Sequence, residues 1–355
     1  MMSNIDSDHR FGEELPMSIA TEELTGSSQT QRRLAALYHP VADDLAASEV
    51  IYREELSSRI GFVQKLVDHA ARFQGKRLRP TLLLLSAKAC GGVRPIHRQL
   101  AAVVEMIHTA SLVHDDILDE ASIRRHAATI NMEWGNEAAV LLGDYLFTHA
   151  FHLAASTGST LACQWISRAT NRVWEGEMTQ NHHRGDLDLT EDSYFDIIRG
   201  KTAELTAVSS GLGAQFAEVS PELVADMESY GRNLGIAFQI VDDLLDILGD
   251  ERTTGKSLGT DMDKIKLTLP LIRYLANADE SSARLVKELI VSDANISARR
   301  VKLREILLAS PVIDECWKIA IGYSAKAADN LQSLPDSTSK VILASMAEGA
   351  VRRAF

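Results

Sequence analysis

Leu112-Val113-His114-Asp115-Asp116-Ile117-Leu118-Asp119 and Gln239-Ile240-Val241-Asp242-Asp243-Leu244-Leu245-Asp246 are the two stretches on which the reading turns. Each sets Asp-Asp-x-x-Asp inside an apolar, helix-forming run. On a helix, residues i and i+4 share a face, so Asp115 projects with Asp119 and Asp242 with Asp246. Carboxylates massed on an apolar helix repel one another and are costly to bury without cations. A divalent metal resolves that conflict, and ligands made only of oxygen point to Mg²⁺ held together with a phosphate-bearing substrate. A solvated helix face explains one such cluster equally well. Two copies, each flanked by Val, Ile and Leu, are not explained that way.

Outward from these clusters the pattern stays helical. Residues 97–121, 136–156 and 220–248 are long segments with apolar residues at helical spacing. Ser220-Pro221 supplies an N-cap and a first-turn proline, and Gly91-Gly92, Gly158-Ser159 and Gly249-Asp250 read as turns between helices. No alternating strand pattern competes. Helices apolar on most of their circumference belong at the centre of a bundle, so the expected fold is all-α: one large bundle, residues 34–355, with the acidic helices facing each other across a central cavity. Residues 1–33, rich in Ser, Thr, Glu and Asp, are expected to be a mobile N-terminal tail.

With 355 residues, 45% hydrophobic and 24% charged, the composition is that of a soluble globular protein. A net charge of −12 argues against nucleic acid as the main partner. The three cysteines, Cys90, Cys163 and Cys316, are widely spaced, with neither zinc-site nor disulfide-framework spacing, which makes a reducing cytoplasm the expected compartment. No apolar run approaches the roughly 20 residues that span a bilayer, and the polar, acidic N-terminus is unlike a signal peptide.

Basic residues gather at a few places. Gly75-Lys76-Arg77-Leu78-Arg79-Pro80 puts three cations just ahead of an apolar helix, a natural anion site but by itself also an ordinary solvated turn. Arg124 and Arg125 follow Asp119 closely, at the mouth of the first acidic helix. Lys201-Thr202 stands alone, and Lys256, Asp261 and Lys266 follow the second cluster. His108 lies seven residues before Asp115, on its helical face, and Gln239 lies seven before Asp246.

Together these pieces resemble the trans-isoprenyl diphosphate synthases of the polyprenyl synthetase family. The matching motifs, in order, are GKRLRP (75–80), HTASLVHDDILDEASIRR (108–125), GNEAAVLLGDYL (135–146), GEMTQ (176–180), GKTAEL (200–205), FQIVDDLLD (238–246), GKSLGTD (255–261) and KLTLP (266–270). The resemblance implies that Lys76, Arg79, His108 and Arg125 hold isopentenyl diphosphate. It implies that Arg124, Lys201, Thr202, Gln239, Lys256 and Lys266 hold the allylic diphosphate. Two or three Mg²⁺ ions would be bound by Asp115, Asp116 and Asp119 with Asp242, Asp243 and Asp246. Family members are dimers, so a homodimer is expected, with no membrane span and at most peripheral membrane contact for product release. Two departures stand out. His126 and Ile265 replace glycines usual in the family, and both fall in phosphate-binding loops.

The implied reaction is the head-to-tail (1'-4) condensation of isopentenyl diphosphate with an allylic diphosphate. In the family, aromatics four and five residues before the first aspartate plug the product tunnel of short-chain enzymes. Ser111 and Ala110 stand there in this chain, and Ile107 continues the face towards Val104 and Val103. That favours a long-chain product such as a quinone side-chain precursor, with geranylgeranyl diphosphate as the alternative. A class I terpene cyclase typically has an Asn/Ser/Glu second motif. A regulatory subunit would have lost aspartates and phosphate-binding cations, and an His-Asp phosphohydrolase needs further histidines paired with His114. None of these fits the residues as well.

Overall fold

A computed structural model describes residues 38–73, 75–125, 127–248, 264–292 and 296–352. The expected tail at 1–33, His126, the Gly249-Asp250 break, Lys256 and Asp261 lie outside the described residues. The elements below belong to one compact unit, Val41–Phe355.

The unit is built from helices: α1 Ala42–Glu55, α2 Gly61–Ala70, α3 Leu78–Ala89, α4 Pro95–Leu118, α5 Ile130–Ser156 and α6 Thr160–His182. After α7 (Glu191–Ile198) and a π-helical turn (Arg199–Ala203) come α8 Glu204–Gln215, α9 Pro221–Leu248 and α10 Leu269–Asn277. The chain ends with α11 Glu280–Val291, α12 Ile296–Leu308, α13 Val312–Asp329 and α14 Thr338–Val351. This is the expected all-α bundle. Its only departure among the described residues is a short antiparallel hairpin after α4, pairing β1 (Ile123–Arg124) with β2 (Ala127–Ala128).

Local chemistry sets the helix ends. Pro95 opens α4 where its missing N–H costs nothing, and the Arg94 N–H donates to His97 Nδ1 at 2.8 Å. Ser220 caps α9, its hydroxyl accepting from the Leu223 N–H at 3.3 Å. The Gly91-Gly92 turn uses φ of 129° and 139°, backbone that side chains resist.

Two apolar cores form. One gathers α1 to α6, α8 and α14, and the other gathers α7 and α10 to α13. Helix α9 joins them: Val224, Met227, Tyr230 and Leu234 enter the first, and Ile236, Ile240, Val241 and Leu244 the second. The rigid axis that carries the second acidic cluster is thus clamped on both sides. The sequence reading found no apolar run of bilayer-spanning length, whereas α5 is by length and composition able to cross one. In the fold, its Ala139, Leu142, Leu146, Ala150 and Leu153 are core residues, and Gly135 (φ 87°) breaks its first turn.

Candidate active site

Both acidic clusters sit at the C-terminal ends of their helices. Asp115 and Asp116 occupy the last turn of α4 and Asp119 caps it, while Asp242, Asp243 and Asp246 fall in the last two turns of α9. A helix C-terminus carries the negative end of the macrodipole, where carboxylates are unfavourable. Neither helix offers a basic residue in its last turn. Six aspartates placed against their own helix dipoles are a cost that folding alone would not select.

Cations from distant segments answer that charge. Asp116, 1% exposed, is gripped in bidentate fashion by Arg124, whose Nε lies 2.8 and 3.0 Å from the two oxygens. Asp119 meets Lys264 at 3.1 Å and Arg184 at 3.4 Å. Asp115 has Lys201 Nζ at 3.8 Å, and Lys201 is also paired with Glu177. On α9, Asp243 is 3% exposed and accepts from Tyr194 Oη at 2.6 Å and Gln239 Nε2 at 2.8 Å. Thr202 in turn donates to Gln239 Oε1 at 2.8 Å. Asp242 and Asp246 are half-buried beside it.

The electrostatics follow the geometry. Burial pushes Asp115 up to about 6 against the pull of Lys201, with Glu177 and Asp119 adding to the rise. Burial also raises Asp116 in spite of Arg124. At Asp119 burial works upward, but Lys264, Lys266 and Lys201 together hold the carboxyl below its ordinary range. Carboxylates with raised values at a partly open site are short of positive charge. Among the described residues no three acidic, His or Cys side chains converge as a closed metal cage. An oxygen-only donor set without a cage fits a hard divalent cation that takes its remaining ligands from a phosphate.

Lys201 and Thr202 lie on the π-helical turn, a geometry often found at functional sites. The turn is packed so closely on α6 that a Cβ at Gly176 would sit 2.5 Å from the Lys201 backbone nitrogen. Glycine in GEMTQ is therefore what lets that turn reach Asp115. The two lysine-bearing segments and α9 enclose a cavity of about 60 Å³ whose wall includes Lys201, Thr202, Gln239, Asp243, Lys266 and Tyr194. Lys201 thus touches the α4 cluster and shares a wall with the α9 cluster, so the two acidic helix ends face a common space.

A second cationic group lies on the other side of Asp116. Burial drives His108 well below its usual value, and the positive charges of Arg79, Arg125, Arg124 and Arg77 deepen the fall. Arg79 Nε is buried with no hydrogen-bond partner among the described residues. Arg125 donates to the Phe73 carbonyl and folds over Gly75, where a Cβ would lie 2.3 Å from the guanidinium. Lys76 is exposed at the rim. This group suits a polyanion.

The residue in the middle of that motif does something else. Arg77 caps α3 in the left-handed region (φ 47°) and is buried between Glu105 of α4 and Glu49 of α1, over the Tyr52 ring. The sequence reading counted Arg77 among three cations of an anion site, although Glu105, the lone acid in the apolar run from Leu100 to Ile107, signalled a buried partner. Glu177 was given no role although it lies in the GEMTQ motif, and Lys264, Arg184 and Tyr194 were left out because nothing in their local sequence marks them. Ile265, where a glycine is usual in the family, adopts φ 50°, a strained conformation for a β-branched side chain. Of the residues expected to line a product tunnel, Ala110 and Ile107 are fully buried in the first core, while Ser111 is half-buried and donates to the His108 carbonyl at 2.9 Å.

Acid-tipped helices and basic segments around one cavity, in an all-α bundle, define an enzyme of the isoprenoid synthase class. The chain belongs to the polyprenyl synthetase family, whose model matches residues 61–307, and it is a prenyltransferase. It is 36% identical to the all-trans-nonaprenyl-diphosphate synthase (geranyl-diphosphate specific) of Rhodobacter capsulatus, over 88% of this chain and 96% of that one. Among solved structures, the polyprenyl synthase of Caulobacter crescentus CB15, complexed with calcium and isoprenyl diphosphate, superposes with a TM-score of 0.85 at 34% identity. That match covers 90% of this chain and 98% of the other. The geranylgeranyl pyrophosphate synthetase of Pyrococcus horikoshii Ot3 follows at 0.83 and 31%, covering 92% and 99%.

Proposed function

We propose that residues 34–355 form a catalytic domain that condenses isopentenyl diphosphate with an allylic diphosphate, repeatedly, to a long all-trans polyprenyl diphosphate. The observation that carries this is the common space in which Lys201, paired with Asp115, shares a wall with Asp243 and Lys266. Asp115, Asp116, Asp119, Asp242, Asp243 and Asp246 are the residues to hold two or three Mg²⁺ ions, which when bound supply positive charge to the leaving diphosphate. Asp116 and Asp243 serve that role from fixed positions, because Arg124 and the Tyr194–Gln239 pair already lock their geometry.

The allylic diphosphate meets Lys201, Thr202, Gln239 and Lys266 on the cavity wall, and the family resemblance adds Arg124 and Lys256 to its donors. Its carbon–oxygen bond breaks as negative charge gathers on the bridging oxygen, where fixed cations count most. Isopentenyl diphosphate is held by Lys76, Arg79, His108 and Arg125, and its double bond attacks the allylic carbon. A proton then leaves the adjacent carbon for the released diphosphate. The apolar core below excludes water from the cation.

Fold similarity is nearly equal for long-chain and geranylgeranyl synthases, so product length is argued from the small side chains Ala110 and Ser111. Geranylgeranyl diphosphate is the second reading, favoured by the complete burial of Ala110 and Ile107. We further propose a cytoplasmic homodimer. Met132, Val140 and Leu141 of α5 and Leu161 of α6 are 60, 44, 68 and 39% exposed, an apolar surface suited to a second copy. The deciding experiment incubates the purified chain with Mg²⁺, farnesyl diphosphate and isopentenyl diphosphate and sizes the products. Long-chain product from the chain alone supports the reading, and no condensation overturns it. Light scattering at micromolar concentration tests the dimer, which a monomer would contradict.

A further inference from the structure

The cavity proposed for the allylic diphosphate has a wall residue that none of the motifs includes. His183 follows α6 as its C-terminal cap and lines the cavity together with Gln180, Lys201, Thr202, Gln239 and Lys266. Its Nδ1 lies 2.8 Å from Asp186 Oδ2. Asp186 is itself fixed: its other carboxylate oxygen accepts from the Asp188 N–H at 2.9 Å, and its own N–H donates to the His183 carbonyl at 3.0 Å. The bond to His183, with that from Asp188, keeps the Asp186 carboxyl below its usual range, so a carboxylate faces the imidazole.

The turn that carries this pair is fastened on both sides of the site. Arg184 reaches the Leu118 carbonyl at 3.2 Å and Asp119 at 3.4 Å, at the end of the first acidic helix. The Gly185 N–H donates to the carbonyl of Ile265 at 2.9 Å, the residue just before Lys266. A histidine that only capped α6 would need neither a fixed carboxylate on Nδ1 nor a place in the wall beside two lysines. With Nδ1–H given to Asp186, the Nε2 atom is the one left for a ligand.

We propose that His183, oriented by Asp186, is a further ligand of the allylic diphosphate, its Nε2–H donating to a phosphate oxygen. The inference rests on the reading of this cavity as the allylic site. Asp186 acts through His183 and is a positioning residue.

The test compares His183→Ala, His183→Gln and Asp186→Asn in the full-length protein with Mg²⁺. KM is measured for farnesyl and for isopentenyl diphosphate separately, and farnesyl diphosphate binding is measured by calorimetry. Loss of one charge-assisted hydrogen bond raises the KM and Kd for farnesyl diphosphate ~10-fold or more in His183→Ala and leaves the KM for isopentenyl diphosphate within about 2-fold. In His183→Gln, whose amide nitrogen reaches the Nε2 position as a permanent donor, most of the loss is recovered. Asp186→Asn falls between the two. Unchanged farnesyl diphosphate affinity in His183→Ala overturns the proposal while leaving the prenyltransferase reading intact. Equal loss for both substrates, or a Gln variant no better than Ala, shows a structural cap and overturns it too. Failure of the wild-type protein to bind farnesyl diphosphate overturns the allylic reading and this proposal with it.

Discussion

Removing the Glu105 carboxylate tests whether the first diphosphate site is held in place by a buried ion pair. Glu105 is 5% exposed and Arg77, its partner, 9%. Stripping one partner from a buried pair typically costs about 3–5 kcal/mol, because the other charge is left in low dielectric. Arg77 keeps a second carboxylate, since Glu49 Oε2 lies 3.2 Å from it with a side chain 24% exposed. That partial compensation brings the expected cost of Glu105→Ala to about 2 kcal/mol, below the cost of stripping a pair that has no second partner. For a chain of this size the melting temperature should fall by about 3 °C. The kinetic consequence is selective. Arg77 stands between Lys76 and Arg79 with left-handed backbone, and the ion pair is what holds that backbone. Loosening it should raise the KM for isopentenyl diphosphate about 10-fold while the KM for the allylic substrate hardly moves. Glu105→Gln, which keeps the shape and one hydrogen bond, should lie between. Melting curves in excess Mg²⁺ and initial rates with each substrate varied are sufficient. A melting temperature within about 1 °C of wild type, together with unchanged KM values, would refute the argument.

Other expectations are as direct. Lys76→Ala should raise the KM for isopentenyl diphosphate more than that for the allylic substrate, and Lys201→Ala the reverse; equal effects on both would mean that the two sites have been confused. With Asp115 raised to about 6, the folded metal-free protein binds a proton that the unfolded chain releases. Its stability should therefore fall as pH rises from about 4 to about 6 and level off above, by at most ~3 kcal/mol. Asp115→Asn should lack that slope in chelator, and parallel melting profiles would contradict the assignment; the same variant should lose ~10²-fold or more in turnover. Ser111→Phe should shorten the product, and it is a cleaner probe than Ala110→Tyr, which would overpack a closed core at about 1–3 kcal/mol. Unchanged product length in a folded Ser111→Phe protein would show that the tail avoids this face. Ile265→Gly should relieve left-handed strain of roughly 1–2 kcal/mol but lose packing in the second core. Its melting temperature should therefore barely move while the KM for the allylic substrate rises through a looser Lys266. A large melting shift without a KM change would argue against that.

Much of this site was written in local pattern. The i, i+4 spacing of Asp115 with Asp119 and Asp242 with Asp246, the Ser220-Pro221 helix start and the Gly91-Gly92 turn depend only on neighbouring residues. Backbone geometry translates such spacing directly into shared faces and element ends. The apolar circumference of the 97–121 and 220–248 segments marked them as central in the same way. Tertiary structure alone decided which cations meet which acids. Arg77 and Glu105 are 28 residues apart and Tyr194 and Asp243 are 49 apart. No periodicity relates such positions, because their meeting depends on how whole helices pack. Packing also decided that Arg77, between Lys76 and Arg79, is spent on a buried ion pair. It set Lys201 on a π-helical turn against Gly176, and it brought His183 to a wall it shares with lysines from two other segments. Chemistry of the parts is legible along the chain; their assignment to one another comes from burial, where a charge without a partner is too costly to keep.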